Sequence, residues 1–388
     1  MKIREYYGWV IFGSSLILSL LGLVFVYTGS YFWCLKCGAP PYSYALKQAV
    51  ALLIGAGTAL LIYKYVDYRN FVSKRFLWAI YLTAVLLLIA VLIFGKEINN
   101  SKSWIIVGGF SFQPAELAKV LIIVFDSAYI RYKWYDITKS LRFFLTFMAF
   151  GLFIPDLLIL AEGDLGSAMI LTISVFAILF ITGLNLKYIA YPVAFGGVLF
   201  TLAVITAPYR LMRIKILLHP ENYIQTAGKY SSYQLVQAFV AFAKGGLTGM
   251  GIGNGILSKF QFLTFAFSDF MFAHIAEEVG AIGALSVLLV FLLILYLGLS
   301  IADRTDEQVG KYMALGLTLY IFLQAAVHIG VNIGLLPTTG ITLPFMSLGG
   351  SSLISSFIAV GVLMSIARHL PPESQVTVRL MSKGRYTY

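Results

Sequence analysis

Residues 268–299 read SDFMFAHIAEEVGAIGALSVLLVFLLILYLGL. From Val279 onward the run carries no charged side chain, and about 20 such residues are the length of a helix that crosses a bilayer. Its opening differs: Asp269, His274, Glu277 and Glu278 lie among Phe, Met and Ala. The segment therefore reads as a long span that is tilted, or that begins as an outer-face helix.

Nine more apolar segments follow the same pattern, at 8–28, 45–63, 76–94, 113–130, 143–160, 166–183, 188–207, 311–334 and 350–367. Composition agrees. Of 388 residues, 60% are hydrophobic and 12% charged, and the mean hydropathy is +0.87. A soluble domain is about 45–50% apolar and about 25% charged. This chain has too little polar surface to fold in water, which excludes a soluble enzyme, a nucleic-acid module and a disordered protein. The expected fold class is an all-α polytopic membrane protein of ten transmembrane helices.

The net charge of +11 suits membrane loops better than nucleic acid, because Lys and Arg collect on the cytoplasmic side. Lys2, Arg4, Lys64, Arg69, Lys74, Arg75, Arg131, Lys133, Lys139 and Arg142 fall in short loops on one side. That side is assigned as cytoplasmic, with both termini inside. No small-residue cleavage site follows the first segment, so it reads as a retained helix. Cys34 and Cys37 are too few for a disulfide scaffold; they are free thiols or one bond on an oxidising outer face. One membrane domain is expected over 1–370, with a cytoplasmic tail at 371–388. A long outer connection at 208–267 is far beyond the usual helix–helix loop and is expected to be ordered and functional.

Charges at membrane depth cost about 2.5–3.5 kcal/mol each on insertion scales, so their positions are informative. In Gln113-Pro114-Ala115-Glu116-Leu117-Ala118-Lys119, Glu116 and Lys119 are neighbours on one helical face. They either neutralise each other or line a polar cavity. Asp164, in Glu162-Gly163-Asp164-Leu165-Gly166, either caps the next helix or stands at the mouth of a site. Ser268 or Asp269 is a candidate N-cap. The apolar surroundings of Asp269 also suit a partly desolvated carboxylate acting as a general base. Glu277 is about 12 Å further along the helix at 1.5 Å per residue, and is not its partner. The glycine cluster Gly249-Met250-Gly251-Ile252-Gly253-Asn254-Gly255 lacks the setting of a nucleotide loop. Its amides either approach a diphosphate or make a tight turn. The four histidines have no metal-ligand spacing; no cofactor is evident, and a divalent cation is compatible but not indicated.

In this order, the motifs resemble the SEDS family (shape, elongation, division and sporulation proteins), which includes FtsW and RodA. The resemblance runs from Gly22-Leu23-Val24-Phe25-Val26-Tyr27 through Ser103-Trp104-Ile105, Gln113-to-Lys119, Asp164-Leu165-Gly166, Tyr233-Gln234 and Gly245-to-Asn254. Asp269-Phe270, Phe272-Ala273, Glu277-Glu278, Leu336-Pro337 and Gly349-Gly350-Ser351-Ser352 complete it. It implies a peptidoglycan glycosyltransferase acting on lipid II at the outer face of the bacterial cytoplasmic membrane. Its implied partners are a class B penicillin-binding transpeptidase and other divisome or elongasome proteins. A lipid II flippase and a non-catalytic scaffold are the alternatives. The family's essential acid maps onto Asp269. Resemblance and charge make Glu116, Lys119, Trp104, Asp164, Lys259, Arg210, Arg213, Lys215, Ser351 and Ser352 the expected substrate-binding residues. The chain departs from the family at Thr264-Phe265-Ala266-Phe267-Ser268, where Pro-Glu-x-His-Thr is usual. It also departs at Leu348, usually Tyr, and at His274, usually apolar. The first-span and Trp104-to-Lys119 signatures lean towards FtsW.

Overall fold

A computed structural model describes residues 5–98, 101–107, 110–184, 208–224 and 232–371, with isolated positions between 188 and 205. The expected segment 188–207 thus falls mostly outside the described residues, as does the tail after Pro371.

The molecule is a helical bundle. Its long helices are α1 (Tyr6–Lys36), α2 (Ser43–Tyr65), α3 (Lys74–Phe94) and α4 (Pro114–Lys139). A continuous helical stretch, α5 (Leu141–Phe147), a π-helix (Met148–Phe153) and α6 (Ile154–Ala161), leads to α7 (Leu165–Ile181). After α8 (Pro208–Leu218), α9 (Tyr233–Gly245) and the single turn α10 (Ile256–Lys259) come α11 (Met271–Arg304), α12 (Gln308–Asn332) and α13 (Gly350–Arg368). Among the described residues, seven helices are long and apolar enough to cross a membrane: α1, α2, α3, the α5–α6 stretch, α11, α12 and α13. Two expected segments are missing from that set for physical reasons. The α4 helix carries Glu116, Lys119, Asp126 and Arg131, and α7 is only 17 residues long.

Helices α12 and α13 are buried along most of their length and form the centre. Small residues let α13 close on α2: a Cβ on Gly361 would lie 2.8 Å from the Ala59 Cα, and one on Gly55 would lie 3.0 Å from the Phe357 ring. Gly151, in the π-helix, makes room in the same way, since a Cβ there would meet the Asp126 carboxylate.

Two features lie at the end of the bundle where α11 begins. Three antiparallel strands, β1 (Lys96–Ile98), β2 (Ser101–Val107) and β3 (Phe110–Phe112), connect α3 to α4 in the order β1-β2-β3. The long connection carries α8, α9 and α10, and it has its own small core: Ala238, Ala241, Leu257, Leu263, Ala266, Phe270 and Ala273. At the opposite end, Arg69 pairs with Glu307 at 2.8 Å and His369 approaches Asp67 at 3.6 Å.

Candidate functional site

The start of α11 is fixed by α12 rather than by its own cap. Phe270 occupies the N-cap position and makes no side-chain cap bond, so neither Ser268 nor Asp269 caps the helix. The orphan donors of the first turn are met from across the interface. The Ala273 amide donates to Asn332 Oδ1 at 3.0 Å, and the Phe272 amide points at His328 Nε2 at 3.4 Å. His328 Nδ1 is 2.8 Å from the Ile341 carbonyl. A carbonyl only accepts, so Nδ1 carries the proton and Nε2 is left free to accept. Asn332 Nδ2 donates to the Asp269 carbonyl at 3.0 Å, and the Ser347 hydroxyl donates to the Ser268 carbonyl at 2.7 Å. Asp269 therefore sits on an immobilised backbone, with its carboxylate free of structural duty to the helix.

That carboxylate is half-buried. Burial raises its pKa above the usual carboxylate range, while a hydrogen bond from Ser268 and the positive charge of Arg213 pull the other way. Arg213, on α8, donates to the Thr338 carbonyl. Burial lowers its pKa, and the charges of Asp269 and Asp164 oppose that. One guanidinium thus links the two acids.

From Asp164 a polar network runs into the bundle. Asp164 caps α7, its Oδ1 accepting from the Ser167 amide at 2.9 Å. Its Oδ2 accepts from the Ser167 hydroxyl at 2.7 Å and from Gln113 Nε2 at 3.0 Å. Lys119 donates to Ser167 Oγ at 3.2 Å and to Glu116 Oε1 at 2.8 Å. Glu116 Oε2 accepts from Tyr320 at 3.2 Å and from Gln324 at 3.3 Å. Gln324 also donates to Ser352 Oγ at 2.9 Å, and Ser351 Oγ accepts from the Gln113 amide at 2.8 Å. Lys119 is 0% exposed and Glu116 4%. Glu116 and Lys119 neutralise each other, as the first of the two sequence readings expects, and the pair is buried among polar side chains.

The structure thus brings Asp269, Arg213, Asp164, Lys119, Glu116, Ser351 and Ser352 into one connected region. It does not bring in the others. Lys259 is exposed, with its ammonium over the Phe32 ring at 5.8 Å, and Lys215 is exposed. Trp104 is half-buried on β2, opposite Lys96. The Arg210 side chain lies outside the described residues.

The glycine cluster has a structural occupation. Helix α11 breaks at Gly280 (φ 70°, ψ −175°), and the break is filled by the glycine segment. Amides of Met250 and Gly251 donate to the carbonyls of Glu277 and Glu278 at 3.0 and 2.9 Å, and Ala281 donates back to Gly246 at 2.9 Å. Amides of Ile256 and Leu257 face the Glu277 carboxylate, and those of Gly253 and Gly255 face that of Glu278. Of the two readings of this cluster, a tight turn and an approach to a diphosphate, the structure shows the turn, with its amides engaged by the backbone and carboxylates of Glu277 and Glu278.

Sequence reading gave no role to Tyr320, Gln324 or Asn332 and noted His328 only for its lack of metal spacing. All four were visible as a polar residue at every fourth position of the otherwise apolar stretch 320–332, which puts them on one face. Among the described residues, no three His, Cys, Asp or Glu side chains converge as a metal ion would need. Cys34 is buried, Cys37 exposed, and both are free thiols.

Residues 9–371 match the FtsW/RodA/SpoVE family, described as cell cycle protein. Curated relatives include a probable peptidoglycan glycosyltransferase FtsW of Coxiella burnetii, 35% identical over 371 residues, covering 94% of this chain and 96% of the relative. Stage V sporulation protein E of Bacillus subtilis is 34% identical over 356 residues, covering 92% and 95%. Among solved structures, a chain of a peptidoglycan synthase complex that coordinates polymerization and crosslinking aligns with a TM-score of 0.74 at 26% identity, covering 93% of this chain and 97% of that one. The rod shape determining protein RodA of Thermus thermophilus, 23% identical with a TM-score of 0.64 over 91% of this chain and 95% of that one, shares the fold.

Proposed function

The chain belongs to the FtsW/RodA/SpoVE cell cycle protein family, and on that premise we propose that it is a peptidoglycan glycosyltransferase that polymerises lipid II. The observation that carries this reading is the position of Asp269: a half-buried acid on a backbone pinned by Asn332 and Ser347, facing Arg213. In the reaction, the 4-hydroxyl of one lipid II attacks the anomeric carbon of the growing chain. Its proton passes to the Asp269 carboxylate as the new C–O bond forms. The bond from the anomeric carbon to the polyprenyl diphosphate breaks, and the electron pair leaves on the diphosphate. Arg213 is the nearby cation suited to hold that negative charge, and the Glu116–Lys119–Asp164 network fixes the wall of the site behind it.

The proposed topology is ten crossings in the bacterial cytoplasmic membrane, with both termini inside and Asp269 facing outward. The proposed role is cell division, with a class B penicillin-binding transpeptidase as partner. A midcell ring of tagged protein supports division, whereas dispersed sidewall foci point to elongation. The central test is glycan formation from purified lipid II by wild type and Asp269→Asn, each with and without the cognate transpeptidase. Long glycan from wild type alone is expected. Full activity in Asp269→Asn overturns the assignment of the base. No product from folded wild type with its partner, together with lipid II translocation in liposomes, replaces polymerisation by transport.

A further inference from the structure

Glu162, at the turn between α6 and α7, is a buried acid with no structural partner. It is 1% exposed, and neither carboxyl oxygen has a hydrogen-bond partner among the described residues. Its backbone, in contrast, is held firmly. The Glu162 carbonyl accepts from the Lys102 amide at 2.9 Å, from Ser101 Oγ at 2.8 Å and from Ser103 Oγ at 3.3 Å. The strand β2 therefore fixes where this side chain starts. Packing of β2 accounts for the carbonyl and leaves the carboxyl unexplained, and a native buried polar group left unsatisfied calls for a reason.

The charges around it define what it can be. Asp164, two residues on, and Lys119, on α4, are the groups whose charge reaches it. Lys119 is already paired with Glu116, and Asp164 shares Arg213 with Asp269. Lys102 of β2 turns its ammonium away, onto the carbonyls of Leu92 and Ile93. The carboxylates Glu116, Asp164 and Asp269 thus already match or exceed the cations Lys119 and Arg213. Burial, then the charge of Asp164, push the Glu162 pKa up to about 9, with Lys119 opposing. At neutral pH the group is an uncharged carboxylic acid, which carries one O–H donor; its ionised form carries none.

We propose that Glu162 binds substrate as a neutral acid, its O–H donating to a phosphate oxygen of the lipid-linked diphosphate. The identity of that ligand rests on the glycosyltransferase reading. A donor at this place admits a dianion without adding a third fixed cation. Once ionised, the same side chain offers only acceptors and a like charge, so it rejects the ligand. Glu162 is in this sense a specificity-determining residue that makes substrate binding proton-dependent on the alkaline side.

The test is binding of undecaprenyl diphosphate to the full-length protein in detergent, at pH values on either side of about 9. Uncharged undecaprenol serves as the control. Wild type should bind at neutral pH and weaken by roughly tenfold or more as the proton is lost, the size expected for one charge-assisted hydrogen bond. Glu162→Gln keeps a donor and cannot ionise; it should bind as wild type does at neutral pH and keep that affinity at alkaline pH. Glu162→Ala should be weak throughout. Infrared difference spectra of wild type against Glu162→Gln should show a protonated-carboxyl band at neutral pH that shifts when undecaprenyl diphosphate is added. An alkaline loss in Glu162→Gln equal to wild type, wild-type affinity in Glu162→Ala, or a band indifferent to undecaprenyl diphosphate overturns the proposal. Glycan synthesis with indifferent Glu162 variants defeats this inference alone. Glu162-dependent binding by a protein that makes no glycan defeats only the polymerase reading.

Discussion

Asn332 is completely buried and serves three backbone groups with one amide: the carbonyls of Asp269 and His328, and the amide of Ala273. Replacing it with leucine keeps the branching of the side chain and strands the Asp269 carbonyl and the Ala273 amide, at about 1–3 kcal/mol for each unsatisfied group. We expect Asn332→Leu to melt earlier in detergent and to lose polymerisation rate while undecaprenyl diphosphate binding persists, because the variant loosens Asp269 and leaves Arg213 and Glu162 in place. Asn332→Asp, which keeps the acceptor for Ala273 and loses the donor, should fall between the two. At this scale charge drew attention to residues in the sequence without sorting them, since Lys215 and Lys259 stand outside the connected region. Asp269, Glu116, Lys119 and Asp164 stand out because ionised groups in apolar surroundings are costly enough to need a reason, whereas Arg213 is marked only by sign and position, together with Arg210 and Lys215. The stripe Tyr320, Gln324, His328 and Asn332 does not announce itself that way. Uncharged polar side chains barely lower the hydropathy of a helix, and only their four-residue spacing betrays them.

Among the elements, α11 is the one whose course depends on a single glycine. Gly280 holds φ at 70°, a region closed to most side chains at a cost of about 1–3 kcal/mol. A Cβ there would also lie 2.4 Å from the Gly249 amide nitrogen and from the Leu247 carbonyl oxygen. Gly280→Ala is therefore expected to undock the glycine segment from the helix break. Limited proteolysis should cut between 246 and 256 in the variant and spare the wild type, with glycan synthesis falling in parallel. Of the two purposes the sequence allows the glycines, the turn is the one seen, with positive φ at Gly249, Gly251 and Gly253, but the helix break into which that turn docks is something apolar periodicity cannot reveal. The three-stranded sheet escaped for another reason. Its strands are short, and the pair Ile105-Ile106-Val107 and Phe110-Ser111-Phe112, separated by Gly108-Gly109, is a hairpin pattern sitting between two strong membrane segments that dominate any hydropathy window.

Across the whole molecule, hydropathy located the long helices, because a bilayer demands about 20 apolar residues per crossing and little else in a protein does, although α1 and α4 run on to Lys36 and Lys139, well past the expected 28 and 130. The connection at 208–267 was harder to read: its helices are short, and their apolar faces pack into a small local core. The proposed orientation has a direct check in the two cysteines. Cys37 is exposed just beyond α1 and Cys34 is buried one turn earlier. A membrane-impermeant maleimide applied to intact cells stripped of their outer barrier should label Cys37 and leave Cys34 unmodified. Labelling of Cys37 only after the cytoplasmic membrane is broken would invert the topology.

The face of α12 that carries Tyr320, Gln324, His328 and Asn332 also limits how this chain can change over generations. Tyr320 and Gln324 hold Glu116, while His328 and Asn332 hold the approach to Asp269. Removing or inserting one residue between them turns everything beyond by about 100° and shifts it by about 1.5 Å, so both halves of the site lose their supports in one event. Substitutions elsewhere on α12 can accumulate singly, whereas the length of this interval can be inherited only unchanged. Among descendants of this gene, the distance from Tyr320 to Asn332 should be the last thing to drift.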